Sequence, residues 1–363
     1  MEANQLNKET RKRVPVENTV AFNKKIFRFS DWFAEKFIKA IAFLSIGFVI
    51  LIFFFVFREA FPIFRMDVKK VARTEVQVQE RYGMDEKVST PTTGQIIDQA
   101  TSEKSNETVV APSSTLLTNQ WMPVSDNPRY GLLPLFLGTL KVTIIAILFA
   151  APIAILAAIY TAMFAKPWVR EIIKPVIELL AGFPSVVIGF FALMIMATIL
   201  QNMFGYASRL NGFVGGIAMA LSAIPIIYTL TEDALTAIPK TYIEASLGLG
   251  ASIRQTAFYV VLPAAVPGIF AAVLLGVGRI FGETMIALMA TGNAALSGIN
   301  PFESVRTLSA TIGAEMAEVV FGDIHYSVLF LIGSILFIFT FILNAVAEFY
   351  LKNVIVRRFQ SKK

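Results

Sequence analysis

Pro239-Lys240-Thr241-Tyr242-Ile243-Glu244-Ala245-Ser246-Leu247-Gly248-Leu249-Gly250, followed by Ser252-Ile253-Arg254-Gln255 and closed by Leu262-Pro263, lies between two long apolar stretches. Thr241 to Glu244 has the Ser/Thr-x-x-Glu spacing of a capping box, and Ser252 to Gln255 repeats it. Pro239 precedes the first start, Gly248 and Gly250 suit the end of that helix, and Pro263 limits the second. The spacing predicts two short helices with a sharp bend. Two readings of it stand: a re-entry loop in which Glu244 only caps its own helix, and a rigid elbow that another protein grips.

The rest of the chain sets this segment in a membrane. Of 363 residues, 55% are hydrophobic and only 16% charged, and the mean hydropathy is +0.64. A water-soluble domain of this length cannot hide so much apolar surface, so lipid is the solvent for much of it. Apolar runs at 37–57, 132–164, 176–200, 213–230, 266–291 and 327–347 each reach spanning length. The expected fold class is therefore an all-α polytopic membrane protein with six transmembrane helices. The first run follows a basic leader (1–36) and lacks a small-residue cleavage site, so it reads as a retained helix rather than a signal peptide.

The net charge of +6 concentrates beside the first and last spans. By the positive-inside rule this puts both termini, the 166–174 loop, the 232–263 loop and the basic tail 351–363 in the cytoplasm. The chain divides into that leader, the first helix, an extracytoplasmic loop at 58–131, a transmembrane domain at 132–350 and the tail. Within the extracytoplasmic loop, 71–78 alternates weakly like a strand, and the other outer loop, 292–326, is less polar and suits a short helix around 305–319. There is no cysteine, which excludes disulfides and thiolate chemistry, and a single histidine, His325, excludes a histidine-rich metal centre. No Gly-x-x-x-x-Gly-Lys-Ser/Thr, His-Glu-x-x-His or Gly-x-Ser-x-Gly occurs. Nothing marks the chain as a catalyst or a nucleic-acid binder, and no metal site is expected.

Charged groups inside an apolar run are the strongest chemical signal. Arg279 and Glu283 lie in Gly278-Arg279-Ile280-Phe281-Gly282-Glu283-Thr284, four positions apart, which puts both on one face of a continuous helix. Each costs roughly 2.5–3.5 kcal/mol near the bilayer centre, and an exposed helical pair returns only about 0.3–0.5 kcal/mol. One reading is a self-neutralised pair facing the bundle interior. The other is a substrate pathway in which the planar fork of Arg279 meets an oxyanion and Glu283 holds that fork. Gly276, Gly278 and Gly282 suit close helix approach there.

Ala181-Gly182-Phe183-Pro184-Ser185 and Ser222-Ala223-Ile224-Pro225 interrupt the third and fourth spans, so Ser185 and Ser222 are either pathway donors or parts of simple kinks. Lys141 reads as a snorkelling lysine, His325 as a surface histidine, and Trp121 and Tyr130 as interfacial aromatics.

Glu244-Ala245-Ser246, three residues, Gly250, nine residues and Val260-Val261-Leu262-Pro263 together resemble the cytoplasmic EAA loop of binding-protein-dependent ABC importer permeases. Ser246 stands in place of the usual second alanine, and Val260 in place of the usual isoleucine. Glu178-Leu179-Leu180-Ala181-Gly182-Phe183-Pro184-Ser185-Val186-Val187-Ile188-Gly189-Phe190, Gly278-Arg279 with Gly282-Glu283-Thr284-Met285, and Gly313-Ala314-Glu315-Met316 resemble phosphate-specific transport permeases. Trp121-x-Pro123 followed by Tyr130-Gly131-Leu132-Leu133-Pro134 is similar to the entry to their second span, and Gly-Glu-Thr-Met favours the PstC-type over the PstA-type subunit.

The resemblance implies a type I ABC importer permease that moves inorganic phosphate across the bacterial cytoplasmic membrane. Its partners are a PstA-type permease, a dimer of cytoplasmic ATPase subunits and an extracytoplasmic phosphate-binding protein, with a phosphate-signalling kinase complex as a further contact. ATP and Mg belong to the ATPase, and this chain binds no cofactor. Glu244, Ala245, Gly250, Leu262 and Pro263 form the ATPase-coupling set. Arg279, Glu283, Ser185 and Ser222 form the substrate-pathway set. Two other readings are a permease for molybdate, sulfate or tungstate, and a phosphate-sensing membrane scaffold.

Overall fold

The computed structural model describes residues 29–65, 112–125 and 127–360. Most of the 65–119 insertion, including the strand-like 71–78, lies outside the described residues, as do 1–28 and 361–363. Two compact units are present, Met1–Phe54 and Phe55–Lys363. The described part of the first is helical throughout, and the second carries the elbow and the candidate pathway residues.

Among the described residues, six helices are long and apolar enough to cross a membrane: Trp32–Phe64, Leu133–Phe164, Ser185–Phe204, Gly212–Thr236, Ile253–Phe281 and Ile324–Phe349, spans 1 to 6. Apart from a two-residue antiparallel ladder pairing Trp121 with Tyr130 and Met122 with Arg129 and one isolated bridge, the described residues form helices and loops. The all-α polytopic expectation holds.

Span 2 carries Ala146, Ala150, Ala154 and Ala158 at four-residue intervals, all fully buried. They form a smooth ridge that packs with Ala218, Ala223 and Ile227 of span 4. In lipid, helices gain little from hydrophobic transfer, so small residues that allow close contact drive association. Gly216 shows how close: a Cβ there would sit 2.5 Å from Cγ2 of Ile145. Tyr228 Oη and Thr161 Oγ1 then lie 2.9 Å apart toward the other end. Spans 2 and 4 thus run side by side in the same direction.

Span 5 runs against them. Gly268 faces Ala234 and Gly276 faces Ile227, and the Arg279 side chain reaches Ser222. With Gly268 level with Ala234, the first part of span 5 projects past the end of span 4 at Thr236. Span 4 therefore ends level with about position 266 of span 5, and at 1.5 Å per residue the stretch from Ile253 to there makes a stalk of roughly 20 Å.

Three expected boundaries move. The third apolar run (176–200) is two elements, an amphipathic helix Pro167–Gly182 and span 3 beginning at Ser185. Pro184 bars the helical conformation at Phe183, which is extended at φ −66°, ψ 128°. Span 4, expected to break at Ser222–Pro225, is one helix from Gly212 to Thr236 that runs through Pro225. The fifth run is cut by Gly282-Glu283-Thr284 between the helix ending at Phe281 and a short helix Met285–Ala290. The helix expected near 305–319 is present as Leu308–Glu315, capped by Thr307 Oγ1 accepting from the Ala310 N–H at 3.1 Å.

Candidate functional site

The elbow begins with helix Lys240–Gly248, and its N-cap is Pro239 in an extended conformation. The first expected capping box is therefore absent. The helix starts at Lys240, so Thr241 already sits inside the first turn and Glu244 lies beyond the position that could return to the cap. Glu244 and Ala245 are exposed. The second box forms as expected. Ser252 Oγ accepts from the Gln255 N–H at 3.3 Å and Gln255 Oε1 accepts from the Ser252 N–H at 2.8 Å.

The bend between them is a Schellman turn. The Gly250 N–H donates to the Leu247 carbonyl at 2.9 Å and the Ala251 N–H to the Ser246 carbonyl at 3.2 Å. Gly250 holds φ +86°, a conformation costing an L side chain roughly 1–2 kcal/mol.

Pro263 does not stop the second helix. The chain is continuous from Ile253 to Phe281 through a π-helical turn, Ala257–Val261. Pro263 lies in the first turn of the α-helical register that resumes there, where its missing N–H has least effect. The sequence pattern gave no sign of Thr256. This fully buried residue places Oγ1 2.9 Å from Ser246 Oγ, pinning the elbow helix to the base of span 5. The serine that replaces the second alanine is thus the fastener of the bend. Leu249 and Tyr259 stand 90% and 80% exposed on the outer side. The elbow presents a rigid, partly apolar knob on a stalk.

The pathway set is organised differently from expectation. Span 5 ends at Phe281, so Arg279 and Glu283 do not share a helical face. The ion pairs among the described residues involve neither of them. Glu283 is buried at the break; its N–H donates to the Ile280 carbonyl at 3.0 Å and its carbonyl accepts from Ser309 Oγ at 2.7 Å. Arg279 is instead oriented by Ser222, whose backbone carbonyl accepts from Arg279 Nε at 3.2 Å.

Ser222 stands one turn before Pro225, where the proline ring and its missing N–H loosen the helical ladder. The Ser222 hydroxyl donates to the Met219 carbonyl at 2.8 Å. The residue therefore enters the site through its carbonyl and not as a hydroxyl donor. Ser185 lies at the first position of span 3, half-buried. Its helix packs on Met285–Ala290 through Gly189, which ties Ser185 to the segment after the break rather than to Arg279. Gly276 and Gly278 do admit neighbours, Ile227 and Asn344, whereas Gly282 faces only its own turn.

Depth gives Arg279 its meaning. Ser222 is ten residues into the 25-residue span 4, about 15 Å from its start at 1.5 Å per residue, close to the middle of a ~30 Å hydrocarbon layer. With Nε held, the two terminal nitrogens of the guanidinium remain as a fork on an exposed side of the chain.

Other polar groups gather at the two ends of the bundle. At the elbow end, Lys174 Nζ pairs with the buried Glu232 at 2.8 Å, and Arg170 donates through Nε and Nη2 to the Thr161 carbonyl at 3.1 and 2.8 Å. At the opposite end, Glu315 collects Trp121 Nε1 at 3.0 Å, Arg306 at 2.5 Å and His325 Nε2 at 2.8 Å. Burial pushes the Glu315 carboxyl up, but the hydrogen bonds from His325 and Trp121 and the charge of Arg306 outweigh it and hold it below the usual range. Tyr130 is pushed up to about 12 by burial and by Asp323 and Glu315. His325, Trp121 and Tyr130 are packed ring to ring, which corrects the surface reading of His325 and buries Trp121 and Tyr130 within the chain at that end. Lys141 donates to the Asn300 carbonyl at 3.1 Å. Trp121 with Glu315, Lys141 with Asn300 and Lys174 with Glu232 are far apart in sequence. The nearer partners of Glu315 and Arg170 lie outside their own helices, so only tertiary contact reveals these pairings.

Residues 150–356 match the family described as binding-protein-dependent transport system inner membrane component. The chain is 34% identical over 233 residues to the probable ABC transporter permease protein YqgH of Bacillus subtilis, covering 64% of this chain and 75% of that protein. It is 33% identical over 263 residues to the phosphate transport system permease protein PstC of Mesorhizobium japonicum, covering 67% and 80%. Among solved structures, a bacterial ABC transporter involved in alginate import aligns with a TM-score of 0.48 at 14% identity, over 72% of this chain and 89% of that one. A family match over more than half its length makes this chain a multi-pass membrane protein of the binding-protein-dependent transport system inner membrane component family.

Proposed function

We propose that the chain is the permease subunit of an ATP-driven importer of inorganic phosphate. The observation that carries this is Arg279, held at mid-membrane depth by a backbone carbonyl, with its terminal nitrogens left for a tetrahedral oxyanion. The relatives named for phosphate transport support the choice of anion.

In this reading a homologous permease faces the exposed side of Arg279 and completes the pathway. The elbow from Glu244 to Pro263 docks on a cytoplasmic ATPase that uses ATP and Mg. An extracytoplasmic phosphate-binding protein delivers cargo at the opposite end. Both termini then lie in the cytoplasm, an orientation that the basic residues near the first and last spans support. Closure of the ATPase moves the elbow, and the stalk carries that motion toward Arg279 on the same helix. The Schellman turn and the Ser246–Thr256 bond keep the bend from absorbing it.

The test is uptake of labelled phosphate by the reconstituted complex, with molybdate, sulfate and tungstate as competitors. Excess unlabelled phosphate is expected to abolish uptake of label while the other anions leave it nearly intact. Uptake that resists excess phosphate, or yields equally to another oxyanion, overturns the assignment.

A further inference from the structure

Helix Pro167–Gly182 has features that neither a span nor a buried helix explains. It has no buried residue, and Trp168, Ile172, Val176 and Leu179 are 62%, 54%, 57% and 69% exposed. At about 100° per residue these four fall within an arc of roughly 80°. The next edge of the same helix is fastened to the chain. Ile173 and Ile177 pack on the core, Arg170 caps the end of span 2 and Lys174 pairs with Glu232. Glu171 and Glu178 occupy the far rim, exposed.

We infer that this helix is an interfacial anchor whose apolar stripe lies in the membrane leaflet on the elbow side. Three observations choose lipid over a protein partner. First, two residues join the helix to the end of span 2 and two join it to the start of span 3, so its ends cannot leave the level at which those spans meet water. Second, the spans on either side of the helix also expose large apolar side chains next to it in the chain, Leu156 and Tyr160 before it and Val186 and Phe190 after it. Third, it contains no small residue, whereas the close helix contacts of this chain use Gly216, Gly268, Gly276 and the alanine ridge. Bulky apolar side chains on one face, with Arg170, Lys174, Glu171 and Glu178 around the rest of the helix, make the amphipathic division of a helix lying in the boundary between headgroups and acyl chains. This inference does not depend on which anion is carried.

The absence of cysteine makes the test direct. Single cysteines at positions 172, 176 and 179, with 171 and 178 as controls, are spin-labelled in the assembled transporter. The sample is reconstituted in phosphatidylethanolamine–phosphatidylglycerol vesicles. Labels at 172, 176 and 179 are expected to collide several-fold more with oxygen than with a water-soluble nickel chelate, and labels at 171 and 178 to show the reverse. Stripe labels shielded from both reagents would mean a protein partner covers the stripe. Stripe labels open to nickel would mean it faces water. Either result overturns the proposal.

A second measurement needs no label. With Trp32→Phe and Trp121→Phe in place, vesicles of brominated lipid should quench Trp168 emission at least about twofold relative to unbrominated lipid. Unchanged emission overturns the proposal.

Discussion

Arg279→Lys separates geometry from charge at the proposed pathway. Lysine keeps the positive charge but has no N–H in place of Nε, so the bond to the Ser222 carbonyl is lost along with the two-pronged fork. A hydrogen bond from a charged group contributes about 1.5–3 kcal/mol. At 3.2 Å this one belongs near the lower end. Loss of one such bond corresponds to roughly a tenfold effect, since about 1.4 kcal/mol is tenfold. Losing bidentate contact to the anion adds a comparable factor, giving a fall of about 10- to 100-fold in uptake at limiting phosphate. The assay is initial-rate uptake of labelled phosphate in proteoliposomes, with co-isolation of the ATPase as the assembly control. Arg279→Gln, which removes the charge, should abolish uptake while assembly stays intact. Lysine uptake within twofold of the parent would show that charge alone suffices and that the Ser222 tether is irrelevant.

Gly250→Val forces a β-branched residue into φ +86° with no neighbour within 4 Å of the added Cβ. The cost is therefore conformational, roughly 1–2 kcal/mol. ATP hydrolysis by the complex should persist while phosphate moved per ATP falls, and an unchanged ratio would remove the bend from the coupling path. Lys174→Ala leaves Glu232 buried with a charge it can no longer pair. The lysine is itself 41% exposed, so a loss of about 1–3 kcal/mol is expected, below the full cost of breaking a buried pair. Glu232→Gln should restore most of it, as read by thermal unfolding, and failure of that rescue would locate the defect elsewhere.

At the opposite end, Glu315 has a depressed carboxyl pKa, so its stabilising effect is complete above the ordinary glutamate value, about 4.3. It is lost as pH falls through the lower folded value. Trp121 emission should therefore change reversibly on acidification below about pH 4 in the parent and stay flat in Glu315→Gln. A matching transition in the variant would assign the change to another group.

Much of the fold was legible in the chain because lipid imposes a simple rule: a run of about twenty apolar residues must satisfy its own backbone and so becomes a helix. Six spans, the elbow at 239–263, the Ser252 capping box, the left-handed Gly250 and the helix near 305–319 all follow from local chemistry. Local chemistry also misled. Thr241–Glu244 has the spacing of a cap, but Pro239 had already started the helix. Pro225 and Pro263 read as breaks, yet span 4 runs through the first and a π-turn leads into the second.

Sequence alone named Arg279 as the costly residue and Gly250 as the bend, since a charge in an apolar run and a glycine after a helix each carry a physical meaning by themselves. Tertiary structure decided what holds them. Arg279 is oriented by a carbonyl 57 positions away and not by Glu283, and Ser246 is fastened by Thr256. Glu315 is gripped from three separate segments. Helical periodicity specifies which side of one helix a residue occupies, but a hydrogen bond between helices depends on their register, and register is fixed only when glycine and alanine faces lock together.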